Sequence, residues 1–264
     1  MIGLFDSGVG GLSIYREIQK LLPEFSTIYV GDQAHVPYGM RPYTEVRKFT
    51  TEMMRFLIHS GANPIVIACN TASGAALRYV RKEFPKTDFV GLVPALKPAA
   101  ESTRSGRIGV LATPGTFRGK LYLHVKNKFA GEVIVYQDTV PGLVEQIENG
   151  QIHSSETHEI LEKALRPMLT KGVDRIVLGC THYPFAEDVI QNIAGDTVEI
   201  IKPGAAVARR VQFLLGQTQP DEVVLHRFLT TGDTTILKNA LIQLLQMKDV
   251  DVEPLSWQAD GRLI

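Results

Sequence analysis

The stretch Ile65-Val66-Ile67-Ala68-Cys69-Asn70-Thr71-Ala72-Ser73 has a counterpart later in the chain, Ile176-Val177-Leu178-Gly179-Cys180-Thr181-His182-Tyr183-Pro184. In each copy a short apolar run, rich in β-branched residues, ends at a cysteine, and polar residues come next. These are the only two cysteines among 264 residues. The pattern predicts a buried strand that carries a thiol at its carboxyl end, directly before a helix.

Similar apolar runs alternate with helical patterns along most of the chain. The predicted strands are Ile2–Phe5, Thr27–Val30, Ile65–Ala68, Phe89–Val93, Ile108–Leu111, Val133–Tyr136, Ile176–Leu178, Val198–Ile201 and Val224–Leu229. Alternation with short connections indicates parallel sheets covered by helices on both faces. We therefore predict an α/β fold of two pseudo-symmetric domains with mostly parallel central sheets and an active site in the cleft between them. The first domain is predicted to span residues 1–94 plus 208–264, and the second residues 95–207.

Composition and charge narrow the function classes. Apolar residues make up 44% of the chain and charged residues 21%, which is ordinary for a soluble globular protein. The 28 basic residues balance 28 acidic ones, so no basic field predicts a nucleic-acid partner. No apolar run approaches the roughly 20 residues of a membrane span, and no targeting segment is evident. With two cysteines we expect free thiols in a reducing cytoplasm and no membrane association.

Two polar loops are predicted at the same sheet edge as Cys69, because ligands bind beyond the carboxyl ends of parallel strands. Asp6-Ser7-Gly8-Val9-Gly10-Gly11 comes after the first strand, and its glycines let backbone N–H groups approach an anion. Gly31-Asp32-Gln33-Ala34-His35-Val36-Pro37-Tyr38-Gly39 comes after the second strand. Both could also be plain structural turns. The glycine spacing matches neither a dinucleotide fingerprint nor a P-loop, so no nucleotide cofactor is predicted.

Cys69 and Cys180 are the strongest candidates for chemistry. A helix amino terminus after each thiol is expected to lower its pKa from about 8.5 toward neutrality. Two thiols that face each other across a cleft can remove a proton from one face of a carbon and return one to the other. Metal binding is a weaker alternative, since two cysteines and scattered histidines match no compact ligand spacing. A Cys-His-Asn hydrolase would leave the second cysteine unexplained.

These motifs together resemble those of bacterial glutamate racemase. The resemblance rests on Asp6-Ser7-Gly8-Val9-Gly10-Gly11, Val36-Pro37-Tyr38-Gly39, Cys69-Asn70-Thr71-Ala72, Leu178-Gly179-Cys180-Thr181-His182-Tyr183-Pro184 and Thr230-Thr231-Gly232-Asp233, which occur in the family's order. The resemblance implies interconversion of L- and D-glutamate without pyridoxal phosphate, metal or nucleotide. It also implies a role in supplying D-glutamate for peptidoglycan.

Matched residue by residue, the resemblance implies a complete set of site residues. Cys69 would deprotonate D-glutamate with help from Asp6, and Cys180 would deprotonate L-glutamate with help from His182. Two further functional acids are matched by Asp32 and by Glu145, which opens a predicted helix. The substrate would be held by Asp6, Ser7, Tyr38, Gly39, Asn70, Thr71, Thr181 and His182.

Two rival functions stay open at this level. An aspartate racemase shares the paired cysteines, and a non-catalytic amino-acid-binding or regulatory protein would hold glutamate without exchanging its α-hydrogen. The partner expected from charge and family is the small-molecule substrate alone. The oligomeric state varies within the family, so a homodimer is possible and the sequence does not decide between it and a monomer.

Overall fold

A computed structural model describes all residues, 1–264, and contains two parallel β-sheets. The strands are β1 Ile2–Asp6, β2 Thr27–Gly31, β3 Ile65–Ile67, β4 Phe89–Gly91, β5 Arg107–Leu111, β6 Ile134–Asp138, β7 Arg175–Leu178, β8 Glu199–Ile201, β9 His226–Thr230 and β10 Glu253–Pro254. All nine predicted strands are present, with ends shifted by no more than two residues. The short strand β10 was not predicted.

Eleven helices cover the two sheets. They are α1 Leu12–Leu21, α2 Tyr43–His59, α3 Asn70–Glu83, α4 Leu96–Ser102, α5 Pro114–Arg118, α6 Lys120–Phe129, α7 Leu143–Glu148, α8 Ser155–Leu169, α9 Glu187–Ala194, α10 Gly204–Leu215 and α11 Thr234–Leu245. Gly61 and Gly172 lie just after α2 and α8 with positive φ angles of 78° and 77°, as helix-ending glycines do. None of the helices combines the length and the apolar character that crossing a membrane requires.

The two sheets confirm the predicted α/β fold with parallel central sheets. One sheet has the strand order β10-β9-β2-β1-β3-β4 and the other β6-β5-β7-β8. Every pair of neighbouring strands is parallel. The first sheet draws on residues 2–91 and 226–254, and the second on residues 107–201. The predicted domain limits fall outside both sheets and stay predictions.

The apolar runs at the centre of each sheet form strands that are buried on both faces, whereas the edge strands β6 and β8 are partly exposed. All five residues of β1 and of β2 are buried, as are all four of β7. Helix α1 packs its apolar stripe against α10, and Ile18 in that stripe is fully buried. The carboxyl ends of β1, β3 and β7 thereby bring Asp6, Cys69 and Cys180 to one region between the sheets.

The two copies of the cysteine pattern differ in the structure after the thiol. Cys69 is the N-cap of α3, as predicted. After Cys180, however, a 3-10 turn covers Tyr183–Ala186 and α9 begins only at Glu187, so the helix predicted directly after Cys180 is wrong. Pro184 accounts for this, because it lacks an N–H to donate within a helix and restricts the residue before it.

The buried stripe of α1 gives a matched pair of variants. Ile18→Ala removes a fully buried side chain and should lower the free energy of unfolding by about 2–5 kcal/mol. Leu21→Ala, three residues on in the same helix and 37% exposed, should cost clearly less. Denaturant unfolding followed by circular dichroism measures both. Equal losses would contradict this packing of α1.

Candidate active site

Both cysteines line one cavity between the two sheets. The first sheet contributes Ser7, Pro37, Tyr38, Gly39, Cys69, Asn70 and Thr71, and the other side contributes Thr113, Thr116, Val144, Gly179, Cys180, Thr181 and His182. The cavity is narrow, since the centre of a water molecule can move through only about 20 Å³ of it. That is room for little more than a single water molecule. Both thiols are free and buried.

A chain of hydrogen bonds supports Cys180. Its Sγ lies 3.7 Å from Nδ1 of His182, and Nε2 of the same ring lies 2.5 Å from Oε1 of Glu148. The backbone N–H of Val9 donates to the same Oε1 at 2.8 Å, and Nε2 of Gln33 donates to Oε2 at 3.2 Å. Glu148 thus fixes the orientation of the imidazole while receiving donors from both halves of the molecule.

In this chain of hydrogen bonds, the charges of His182 and Glu148 stabilise each other. Burial alone would lower the pKa of His182, but its hydrogen bonds to Cys180 and Glu148 outweigh burial and raise the pKa well above its ordinary value. Burial opposes ionisation of Glu148 as well, yet the hydrogen bond and charge of His182 lower its pKa overall. Both shifts favour an imidazolium held between a carboxylate and the Cys180 sulfur.

Cys69 has a different environment. Burial, and then the negative charge of Asp6, raise its pKa to about 12, although the backbone N–H of Ala72 and the Ser7 hydroxyl partly offset them. The Ser7 Oγ lies 3.7 Å from the Cys69 Sγ. The expected lowering of this pKa by the amino terminus of α3 is therefore wrong, because desolvation of a fully buried sulfur exceeds the effect of the helix. At neutral pH Cys69 carries its proton.

Asp6 joins the two halves of the site. Its carboxylate accepts from the Gly8 N–H at 3.0 Å and from the Thr181 hydroxyl at 3.0 Å. Burial raises the pKa of Asp6, with the positive charge of His182 acting against it. The glycine-rich loop after Asp6 allows this close approach. A Cβ on Gly10 would come within 2.4 Å of His182 Nδ1, and one on Gly8 within 1.9 Å of Glu148.

Asn70 presents polar atoms that nothing in the protein satisfies. Its Oδ1 and Nδ2 are both buried without a hydrogen-bond partner, and the residue lines the cavity. Buried polar atoms are nearly always paired, so an unpaired donor and acceptor at a cavity point to a polar ligand. Close by, the Thr71 hydroxyl lies 2.8 Å from that of Thr113 and connects the two sides of the cavity.

Two of the predicted acids lie elsewhere than expected. Glu145 is exposed in the first turn of α7 and lines a second, adjoining cavity rather than the one that holds the thiols, so its functional role stays a prediction. Glu148, one helical turn later, reaches His182 instead. Spacing along the chain offers no means to choose between these acids, since it does not say which turn faces the cavity. Asp32 is fully buried but does not line the cavity, and it binds Tyr38, which does.

Five cavity residues are absent from the predicted site set: Pro37 and Gly179, which lie within the quoted motifs, and Thr113, Thr116 and Val144, which do not. The sequence around Thr113 does contain a usable signal. Thr113 precedes Pro114 at the end of β5 and caps α5 by accepting from the Thr116 N–H at 3.3 Å, which is a recognisable helix start. No group of three or more His, Cys, Asp or Glu side chains is arranged to hold a metal ion.

Comparison with known proteins places this site in a family. The family model "Asp/Glu/Hydantoin racemase" matches residues 2–211. The chain therefore belongs to the Asp/Glu/hydantoin racemase family, and it is an enzyme of the isomerase class. It is 43% identical to the glutamate racemase of Ectopseudomonas mendocina over 92% of this chain and 94% of the relative. It is 49% identical to that of a Roseiflexus species, over 80% of this chain and 77% of the relative.

Solved structures agree with this assignment. Glutamate racemase isoform RacE1 of Bacillus anthracis superposes with a TM-score of 0.86 at 30% identity, covering 99% of this chain and 98% of that one. The Escherichia coli glutamate racemase, solved with L-glutamate and the activator UDP-MurNAc-Ala, has a TM-score of 0.85 at 31% identity, covering 97% and 98%. An allantoin racemase from Klebsiella pneumoniae shares the fold alone, with 18% identity and a TM-score of 0.57.

The two acids of α7 provide a direct test of the site. Glu148→Gln removes the charge that holds the His182 imidazolium and should lower the kcat of racemisation on the order of 100-fold. Glu145→Gln, the same change three residues away, should alter kcat by no more than about twofold, because its side chain is exposed. Steady-state racemisation rates measure both. A larger loss in the Glu145 variant would restore the original prediction.

The Glu148–His182 pair also predicts a pH dependence of stability. The lowered pKa of Glu148 contributes stability above about 4.5 that is lost as pH falls through its folded value. The raised pKa of His182 contributes stability below about 6.5 that is lost as pH rises through its folded value. The stability difference between the wild type and Glu148→Gln should therefore be largest between these pH values. Denaturant unfolding across the pH range measures it, and a constant difference would contradict the pairing.

Proposed function

We propose that this protein interconverts L- and D-glutamate by two-base catalysis without a cofactor. Cys69 and Cys180 would be the two bases, and the reaction would supply D-glutamate for peptidoglycan in the cytoplasm. The observation that carries the proposal is that two thiols, each from the carboxyl end of a strand in a different sheet, line one cavity. One thiol on each side of a bound carbon is the arrangement that inversion of a stereocentre by proton transfer requires.

Glutamate is proposed as the substrate on two grounds. Relatives that are 43% and 49% identical to this chain are named glutamate racemases. Solved relatives hold L-glutamate in the Escherichia coli enzyme and D-glutamate in that of Francisella tularensis, the latter with a TM-score of 0.83. In this chain, the unpaired amide of Asn70 and the polar residues Ser7, Thr71 and Thr181 would bind the amino-acid substrate.

The two thiols have different surroundings. The raised pKa of His182 places a protonated ring 3.7 Å from the Cys180 sulfur, where it would stabilise negative charge, while Cys69 holds its proton with a pKa raised to about 12. With L-glutamate bound, the Cys180 thiolate would take the α-proton and the Cys69 thiol would give its proton to the opposite face. The turnover ends with Cys180 protonated and Cys69 ionised. The reverse reaction, or proton exchange with solvent, restores the starting state.

Helix α3 supports the charge that develops on the substrate. It begins at Asn70, directly after Cys69, and its N-terminal N–H groups point toward the cavity end of β3. The positive end of a 14-residue helix favours negative charge, and it acts strongly where water is excluded. An α-carboxylate that gains charge as the α-proton leaves would be stabilised there. We assign the oxyanion-stabilising role to this helix end.

Entry of the substrate requires the two halves to move apart. The cavity between the thiols has room for little more than a water molecule. A larger cavity, of about 350 Å³ by the same measure, adjoins it and shares Pro37, Gly39, Thr113 and Val144 with it. We propose that glutamate enters through this outer cavity while the sheets separate, and that closure then excludes water from the reacting carbon.

The proposed reaction is tested by proton exchange. In D2O without added cofactor, the wild type should remove the α-proton NMR signal of either glutamate enantiomer and form the other. Cys69→Ala and Cys180→Ala should each lower racemisation in both directions by at least about 1,000-fold, because each turnover needs one base and one acid.

Three outcomes would contradict the proposal. Normal racemisation by either alanine variant would exclude a two-thiol mechanism. Activity of the wild type on aspartate but not glutamate would make the protein an aspartate racemase. Binding of glutamate with no exchange in a folded, reduced sample would make it a binding protein.

A further inference from the structure

The chain ends in a small hairpin that packs on the first sheet. After β10, Ser256 and Ile264 exchange two backbone hydrogen bonds of 2.7 and 3.0 Å, and Trp257 forms an antiparallel bridge with Leu263. Trp257 and Leu263 pack against the buried core of the Cys69 side. The hairpin, residues 255–264, therefore lies on the first half of the molecule.

The hairpin reaches a buried carboxylate through Trp257. The indole Nε1 donates to Asp32 Oδ1 at 2.8 Å, and the Thr231 hydroxyl donates to the same oxygen at 2.6 Å. The other oxygen, Oδ2, accepts from the Tyr38 hydroxyl at 2.5 Å and lies 2.9 Å from His35 Nδ1. Asp32 is fully buried, so these four side chains supply the polar contacts that water would otherwise provide.

Asp32 connects the hairpin to the cavity. Tyr38 is 1% exposed, and its ring lines the cavity beside Cys69 and Gly39. The only hydrogen bond of its hydroxyl is to Asp32, so the position of that carboxylate sets the position of the ring and of the turn after it. The path from Trp257 to the cavity thus contains two hydrogen bonds, both to one carboxylate.

Aromatic packing holds Trp257 in place independently of its N–H. Phe49 lies 5.4 Å from Trp257 between ring centroids, and it stacks on His35 at 3.8 Å with the rings 17° apart. His35 meets Trp257 edge-on at 5.3 Å. A phenylalanine at position 257 would keep an aromatic ring in this cluster and remove only the donor.

We propose that Trp257 is a positioning residue of the racemase site. Through Asp32 it fixes Tyr38 and Gly39, which form the wall of the cavity on the Cys69 side, so the carboxyl-terminal hairpin is a working part of the site. This inference rests on the proposed glutamate racemisation. The wall is present before and during the proton transfers, so Trp257 contributes to substrate binding rather than to the chemical step.

Trp257→Phe separates positioning from mere folding. Positioning predicts that KM for glutamate rises about tenfold in both directions with kcat nearly unchanged, since loss of one hydrogen bond to a charge loosens the wall equally for both enantiomers. A purely structural role would reduce the amount of folded enzyme, which lowers the apparent kcat and leaves KM as it was. Circular dichroism of the same samples measures the folded fraction. An unchanged KM would overturn the proposal.

Two further variants sharpen the test. Thr231→Val removes a different donor from the same oxygen and should raise KM in the same way, because it loosens the same carboxylate. Arg262→Ala changes an exposed hairpin residue that pairs only with neighbouring Asp260 and should leave KM unaltered. If Arg262→Ala raised KM as much as Trp257→Phe, the rise would result from a less stable hairpin. The proposed positioning role of the indole would then be wrong.

The protein contains a single tryptophan, which provides a second readout. The emission of Trp257 should change in Thr231→Val, because the indole loses a neighbour on its acceptor, and should stay as in the wild type in Arg262→Ala. If the Trp257 emission of the Thr231→Val variant equalled that of the wild type, it would contradict the claim that Thr231 and Trp257 are coupled through Asp32. The wild type is assayed first, so that absence of glutamate turnover is recognised as failure of the proposed function. If only the positioning role is wrong, the wild type turns over glutamate and Trp257→Phe has the same KM as the wild type.

Discussion

The structure depends on one largely buried acceptor, the carboxylate of Glu148, whose side chain is 10% exposed. It binds the His182 ring on its own half of the molecule and the Val9 N–H and Gln33 amide on the other. A charge buried in this way is stable only while its donors stay in place. The glycine-rich loop after β1 must therefore approach α7 and the residues after β7 closely, which it can do because Gly8 has no side chain facing Glu148 and Gly10 has none facing His182. The same carboxylate therefore joins the two halves and orients the His182 ring beside Cys180.

The two halves repeat the same strand-end thiol but not its electrostatics. On one side an imidazolium neighbours the sulfur, and on the other side burial and Asp6 hold the proton on Cys69. In the proposed mechanism this difference would let one thiol act as the base and the other as the acid of a single inversion. The thiols would then exchange roles, because each turnover would move one proton from the substrate and one to it.

Much of this could be predicted from sequence, and the limits have physical causes. Buried parallel strands can be recognised because they are continuous apolar runs, so the sequence predicts β1 to β9 and the position of each cysteine at the carboxyl end of a strand. Choosing between Glu145 and Glu148 was not feasible, because it depends on which turn of a six-residue helix faces the other half. Likewise, Trp257 lies 225 positions from Asp32, and no local pattern indicates so distant a contact. The pKa of Cys69 was predicted in the wrong direction since desolvation is a property of the whole fold.

The central claim, that separate thiols remove and return the proton, is tested most directly by an optical overshoot experiment. Pure D-glutamate is added to the enzyme in D2O, and the circular dichroism of the glutamate is followed until it stops changing. With two bases, product receives deuterium while unreacted substrate keeps its proton, and the slower return of deuterated product should carry the signal past zero before it settles there. A decay to zero without overshoot, with deuterium equally present in remaining substrate and product at early times, would show one base serving both faces and would contradict the account.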